Sequence, residues 1–397
     1  MIVFSKRVVT NDGIKPAYLK VEKGKIVGIY DENEPLVADM DYGNNRIIPG
    51  IIDTHNHGGV GYRFDDADEA GLLECLKGHA SFGVTSIFPT TTNINQYPLL
   101  AKIAQEDNDG AKVAGIHSEG PWGSRVGEKG INTGYPKVDM ELAKQMVEKG
   151  EGWLKLVDIA PEVEGALEAI DYFKAQDITV AAFHTNANYE EANRGIDHGI
   201  TVATHLLNVM TGLHHRDVGT AGACILRDEV DCELICDGLH VCLPMVQLVM
   251  KMKAHDRIMM VSDNGAYLGA PSGKYSGGKK NENSDRAVLT VTEEGYVLSS
   301  TGRLTGSGKP VIFGIQNLVE KLNMPLEEVV KMASFNPARK YGMLNKGEIA
   351  VGKDFDVAII DDDYNVVATY VEGRKVWDKQ NENRPFNQNF LANNKID

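Results

Sequence analysis

The stretch that decides the fold is IIPGIIDTHNHGG, residues 47–59. It begins as a nearly continuous apolar run, the pattern of a strand buried on both faces. It ends in His55-Asn56-His57, just past the last apolar residue. Residues two apart in extended backbone project to the same side, so two such imidazoles can face one metal ion. H-x-H by itself is equally the pattern of two solvated loop histidines. The strand before it shifts the balance, because barrel enzymes carry their chemistry at the C-terminal ends of their strands.

Working outward, short apolar runs alternate with helical periodicity. Eight runs read as strands, at residues 47–53, 84–89, 113–117, 154–159, 178–183, 201–204, 233–236 and 257–262. Helical patterns intervene at residues 67–82, 140–149, 163–175, 189–198 and 244–254, among others. This is the pattern of an α/β fold, a (β/α)8 barrel of TIM type. A doubly wound open sheet is the rival that strand count alone does not exclude. Before residue 46 the chain reads as short strands, with Lys23-Gly24 as a hairpin turn. After the eighth strand, the Gly/Ser/Lys/Asn-rich residues 269–285 read as a mobile loop. A hairpin pair (288–291 and 296–299), two helices (near 310–322 and 325–334) and further strands (356–361 and 366–376) follow. The expected architecture is a barrel of residues 48–345 with a small β-sandwich domain built from both termini, residues 1–47 and 346–385.

Composition narrows the function. The chain has 397 residues, 42% hydrophobic and 24% charged, as in an ordinary globular enzyme. Its net charge of −15 argues against nucleic acid and anionic membrane as partners. Five cysteines with no C-x-x-C pair argue against a disulfide framework or zinc ribbon. The N-terminal segment lacks a signal-peptide pattern and no apolar run has membrane-spanning length, so a cytoplasmic protein is expected.

Other strand ends repeat the theme of the first. His117-Ser118-Glu119-Gly120-Pro121 closes the third run, His184 follows the fifth and His205 the sixth. Each of these residues alone is more often a packed or solvated side chain. Together, imidazoles and a carboxylate at successive strand ends suit Zn²⁺ or Fe²⁺ better than Ca²⁺ or Mg²⁺. Asp237-Gly238-Leu239-His240 closes the seventh run, and His240 could polarise an acyl oxygen or bind a ligand. Asp263 ends the eighth, where an N-cap is the default role and a general base the alternative. Arg216, beside His214 and His215 in a Gly-containing loop, could grip a phosphate in bidentate fashion, or simply be solvated.

These segments resemble the N-acetylglucosamine-6-phosphate deacetylases of the amidohydrolase superfamily. HSEGP, ATHLLNVM and DGLHV in combination are specific to that family, and the matching segments run in order through nearly the whole chain. The resemblance implies Glu119, His184 and His205 as metal ligands, with His55 and His57 completing a second site in some members. It implies Asp263 as the catalytic acid–base, His240 as a substrate-binding and polarising histidine, and Arg216 as the phosphate contact. Asn208, Val209, Leu304, Thr305 and Gly306 fall at substrate-binding positions. It also implies one or two divalent metals per subunit, a phosphorylated N-acetyl amino sugar as substrate, and a homodimer. One departure stands out: Asn132 occupies the place of the family's substrate-binding histidine in a Gly-x-His segment. That leaves open the galactosamine epimer or another N-acyl substrate. A non-catalytic phosphosugar-binding protein is the alternative from another class, and the intact ligand set weighs against it.

Overall fold

The computed structural model describes residues 1–126, 130–131, 137–277, 284–381 and 383–396. The chain divides into two compact units: residues 1–87, 107–112 and 262–397 form the first, and residues 88–106 and 113–261 the second.

In the first unit both termini supply one eight-stranded sheet. Its order is Arg374–Asp378, Val366–Val371, Val357–Ile360, Arg46–Pro49, Ile2–Thr10, Gly13–Glu22 and Lys25–Tyr30, with Met40–Asp41 pairing off Ile2–Thr10. The hairpin read at Lys23-Gly24 is present: Glu22 pairs Lys25, and both loop residues have positive φ, at 50° and 78°. That is the turn whose twist matches a two-residue hairpin. Alternating apolar residues, among them Val3, Leu19, Ile26, Ile47, Phe355, Val357 and Tyr370, close into this sheet's core.

The run read as one strand at 47–53 is two. Arg46–Pro49 belongs to the terminal sheet, and Ile51–Asn56 is a separate, fully buried strand. Pro49-Gly50 makes the break, because proline lacks the N–H a ladder needs. Gly50 is also required for space, since a Cβ there would lie 2.2 Å from Thr85 Oγ1. The segment read as a loop at 269–285 contains a strand, Gly273–Ser276, paired antiparallel to Val288–Val291. Tyr275 anchors it in a cluster with Leu289, Val291 and Val297, against which Tyr267 and Phe390 pack. Residues 278–283 of that segment lie outside the described residues. Phe390 sits on a C-terminal helix, Gln388–Asn394, beyond the strands expected at that end.

The second unit holds six parallel strands in unbroken chain order: Ile116–Trp122, Leu154–Ile159, Thr179–Ala182, Ile200–Ala203, Asp231–Leu234 and Ile258–Met260. Helices Met140–Gly150, Ala166–Ala175, Tyr189–His198, Gly219–Leu226 and Leu243–Met252 connect them. A doubly wound sheet reverses strand order at a switch point. Here no reversal occurs, which is the barrel pattern. The helix Tyr189–His198 has the bounds its sequence predicts, fixed by a capping box between Asn188 and Glu191. Among the described residues no helix is long and apolar enough to cross a membrane.

Candidate active site

In the second unit three strand ends bring metal-type donors together. Glu119 is the fourth residue of Ile116–Trp122, and His184 and His205 each stand two residues past their strands. Both histidines have left-handed backbone, φ 36° and 32°. Residues other than glycine adopt it uncommonly, and it persists where the surroundings over-determine it. His184 Nε2 lies 3.4 Å from Glu119 Oε1, and His205 Nε2 lies 3.1 Å from the same oxygen. Donors bound to zinc at about 2.05 Å on a tetrahedron are about 3.3 Å apart, so these spacings fit a shared ion as well as they fit hydrogen bonds. A carboxylate and two imidazoles are also the donor chemistry that Zn²⁺ and Fe²⁺ take.

Beneath these residues is a buried carboxylate the sequence did not single out. Asp158 Oδ1 accepts from Thr204 Oγ1 at 2.9 Å and faces His117 Nε2 at 3.0 Å. Burial pushes the His117 imidazole down, but the Asp158 carboxylate more than reverses that and raises it above its ordinary value. His117 thus stands two residues from Glu119, and Thr204 is the neighbour of His205. His240 is oriented by its own turn: Asp237 Oδ2 is 2.7 Å from its Nδ1, and Asp237 Oδ1 accepts the N–H groups of Leu239 and His240. Asn208 donates to the carbonyl of His205 at 3.1 Å, and Val209, with φ 51°, accepts the Thr185 N–H through its carbonyl. Arg216 is exposed beside His214 and His215, its Nε 3.0 Å from His215 Nε2, and among the described residues no carboxylate pairs with it.

In the first unit the H-x-H pair meets Asp263, three residues past the strand Ile258–Met260. His55 Nε2 and His57 Nε2 lie 3.5 and 3.4 Å from Asp263 Oδ1. Donor atoms of the three are all within 4.8 Å of one another, a grouping that could hold an ion. Burial pushes the Asp263 carboxyl up, but hydrogen bonds from His55 and His57 overcome it and hold the group well below the usual carboxylate range. The backbones are zipped together, with Asp263 N–H donating to the His55 carbonyl at 2.9 Å and His57 N–H to the Asn264 carbonyl at 2.6 Å. Asp263 too is left-handed, φ 51°. Asp53 braces the pair by accepting from Ser262 N–H and Oγ. Leu304, Thr305 and Gly306 run alongside: Ser307 N–H donates to the Asp263 carbonyl at 2.8 Å. Thr305 Oγ1 is buried with no hydrogen-bond partner among the described residues. Asn132 lies outside the described residues.

Three comparisons bear on this geometry. Residues 46–376 match the model of the amidohydrolase family. The chain is 30% identical to an N-acetylglucosamine-6-phosphate deacetylase from Vibrio furnissii, covering 88% of this chain and 90% of that one. It is 31% identical to an N-acetylgalactosamine-6-phosphate deacetylase from Escherichia coli O157:H7, covering 94% and 98%. Among solved structures, an Asp-to-Ala variant of the Mycobacterium smegmatis N-acetyl-D-glucosamine-6-phosphate deacetylase, in complex with N-acetyl-D-glucosamine-6-phosphate, matches with TM-score 0.85 at 27% identity, over 95% of this chain and 99% of that one. The fold class is therefore the TIM-type barrel with a small β domain.

Proposed function

From the premise that this chain belongs to the amidohydrolase family, and within it to the N-acetylglucosamine-6-phosphate deacetylases, we propose that it hydrolyses the N-acetyl group of N-acetylglucosamine-6-phosphate or its galactosamine epimer to acetate and the amino sugar phosphate. The observation that carries this is the Glu119 carboxylate, with His184 Nε2 at 3.4 Å and His205 Nε2 at 3.1 Å from the same oxygen. Those three residues would hold a divalent metal, Zn²⁺ or Fe²⁺, and His55 and His57 would complete a second site if two ions bind. A bound ion supplies Lewis acidity for the acetyl carbonyl and makes water more acidic.

The chain's own residues do the rest. Asp263, held anionic by its two imidazoles, takes the proton of the attacking water and returns it to the amine as the C–N bond breaks. His240, its ring fixed by Asp237, donates to the acetyl oxygen as charge develops there. Arg216 grips the phosphate and so orients the acetamide. Asn208, Val209 and the Leu304–Thr305–Gly306 segment shape the sugar site, and Asn132 takes the place of a histidine there. A cytoplasmic homodimer accords with this reading.

The test is acetate release from the two epimers side by side. Release from either supports deacetylation, and the rate ratio names the sugar. No release from either by metal-loaded protein would move the substrate to another N-acyl compound.

A further inference from the structure

We propose that Glu162 is a positioning residue for metal binding: its carboxylate clamps the chain after His184 and so holds that imidazole in place. The inference rests on the reading of Glu119, His184 and His205 as ligands. Glu162 follows Leu154–Ile159, the strand that lies between Ile116–Trp122, which carries Glu119, and Thr179–Ala182, which leads to His184. The backbone there is docked, with Ala160 N–H donating to the Trp122 carbonyl at 3.0 Å.

Three donors converge on the Glu162 side chain. Oε1 accepts a short hydrogen bond from Ser124 Oγ and another from Asn186 N–H at 2.7 Å. Oε2 accepts from Thr185 Oγ1 at 2.6 Å. Only a carboxylate is an acceptor at every position, so an amide must turn N–H groups toward one of these donors. Ser124 in turn closes the other side, since the N–H groups of Ser124 and Arg125 both donate to the His184 carbonyl at 2.8 Å. Asn186 Nδ2 donates to the Ser124 carbonyl at 2.7 Å. The residue whose carbonyl and following chain are so restrained is His184, with φ 36°. Left-handed backbone at a histidine relaxes unless something holds it, and this network holds the His184 carbonyl and the two residues that follow it. The approach is close at Gly123 too, where a Cβ would lie 3.1 Å from His184 Cβ and press on it.

The experiment titrates metal-stripped wild type, Glu162→Gln, Ser124→Ala and His184→Asn with Zn²⁺ against a chromophoric chelator, and follows thermal unfolding of each metal-free protein. Residues that orient metal ligands typically govern affinity by about 10–100-fold. Glu162→Gln and Ser124→Ala should each bind Zn²⁺ about tenfold more weakly, and saturating Zn²⁺ should restore turnover toward wild type. Their double variant should lose less than the sum, because they share one network. If Glu162→Gln does not fold, Ser124→Ala decides, since it removes one hydroxyl and leaves the carboxylate. Wild-type affinity in a folded variant overturns the proposal. If His184→Asn also keeps wild-type affinity, the ligand reading itself has failed; if only His184→Asn loses Zn²⁺, the positioning role alone has failed.

Discussion

Replacing Asp158 with Asn tests whether the buried pair beneath Glu119 and His205 supports both fold and site. Asp158 and His117 are both fully buried, 3.0 Å apart. Removing one partner of a buried ion pair costs about 3–5 kcal/mol. Two features reduce that: the Asn carbonyl can still accept from Thr204, and His117 can shed its proton and avoid a stranded charge. One feature adds to it. Asp158 Oδ2 has no hydrogen-bond partner among the described residues, so the amide that replaces it becomes a buried donor without an acceptor. That costs about 1–3 kcal/mol. The net expectation is a loss of about 3 kcal/mol, read by urea unfolding of the metal-free protein at neutral pH. Zn²⁺ affinity should fall in parallel by about tenfold, because His117 and Thr204 adjoin the proposed ligands Glu119 and His205. Stability within about 0.5 kcal/mol of wild type, the range of an inert surface change, would refute the coupling.

Three further outcomes follow from the same geometry. Asp263→Asn keeps the side chain's size, so the protein should fold while kcat falls by about 10²–10⁴-fold; near-normal turnover would remove Asp263 from proton transfer. Arg216→Ala should lower kcat/KM for the phosphorylated substrate, and should not affect an unphosphorylated N-acetyl sugar; equal effects on both substrates would contradict a phosphate contact. Burial holds His79, whose Nε2 is 3.1 Å from the Gly58 carbonyl, down at about 4. Its folded pKa is below its unfolded one, so the unfolded chain binds the extra proton. Stability therefore drops as pH falls from about 6.5 toward 4, by up to about 3 kcal/mol from this group. His79→Gln keeps a donor for Gly58 but cannot titrate, so its acid-side loss should be smaller; an unchanged acid limb would rule the group out.

Much of the barrel is legible because its strands are short, apolar and bounded by turns. Val84–Pro89 and Leu154–Ile159 fall at the residues the sequence indicates. The break at Pro49-Gly50 is hidden, because apolar residues continue on both sides of it. The strand Gly273–Ser276 is hidden for the opposite reason: only Tyr275 is buried in a Gly- and Ser-rich segment. The histidine and carboxylate positions at strand ends are readable, as is Asp263. Their left-handed backbones are not, since no glycine marks them. Asp53, Asp158, Glu162 and Asp237 look like any other carboxylates until neighbouring strands bring their donors to them.

The proposed deacetylation depends on a metal held by Glu119, His184 and His205. It is tested most directly by measuring acetate release from N-acetylglucosamine-6-phosphate with protein stripped of metal and then restored with Zn²⁺ or Fe²⁺, with Glu119→Gln in parallel. Turnover should be lost on stripping, recover on restoration, and fail to recover at the same metal concentration in Glu119→Gln. Full turnover by the stripped protein, or full recovery in Glu119→Gln, would contradict it.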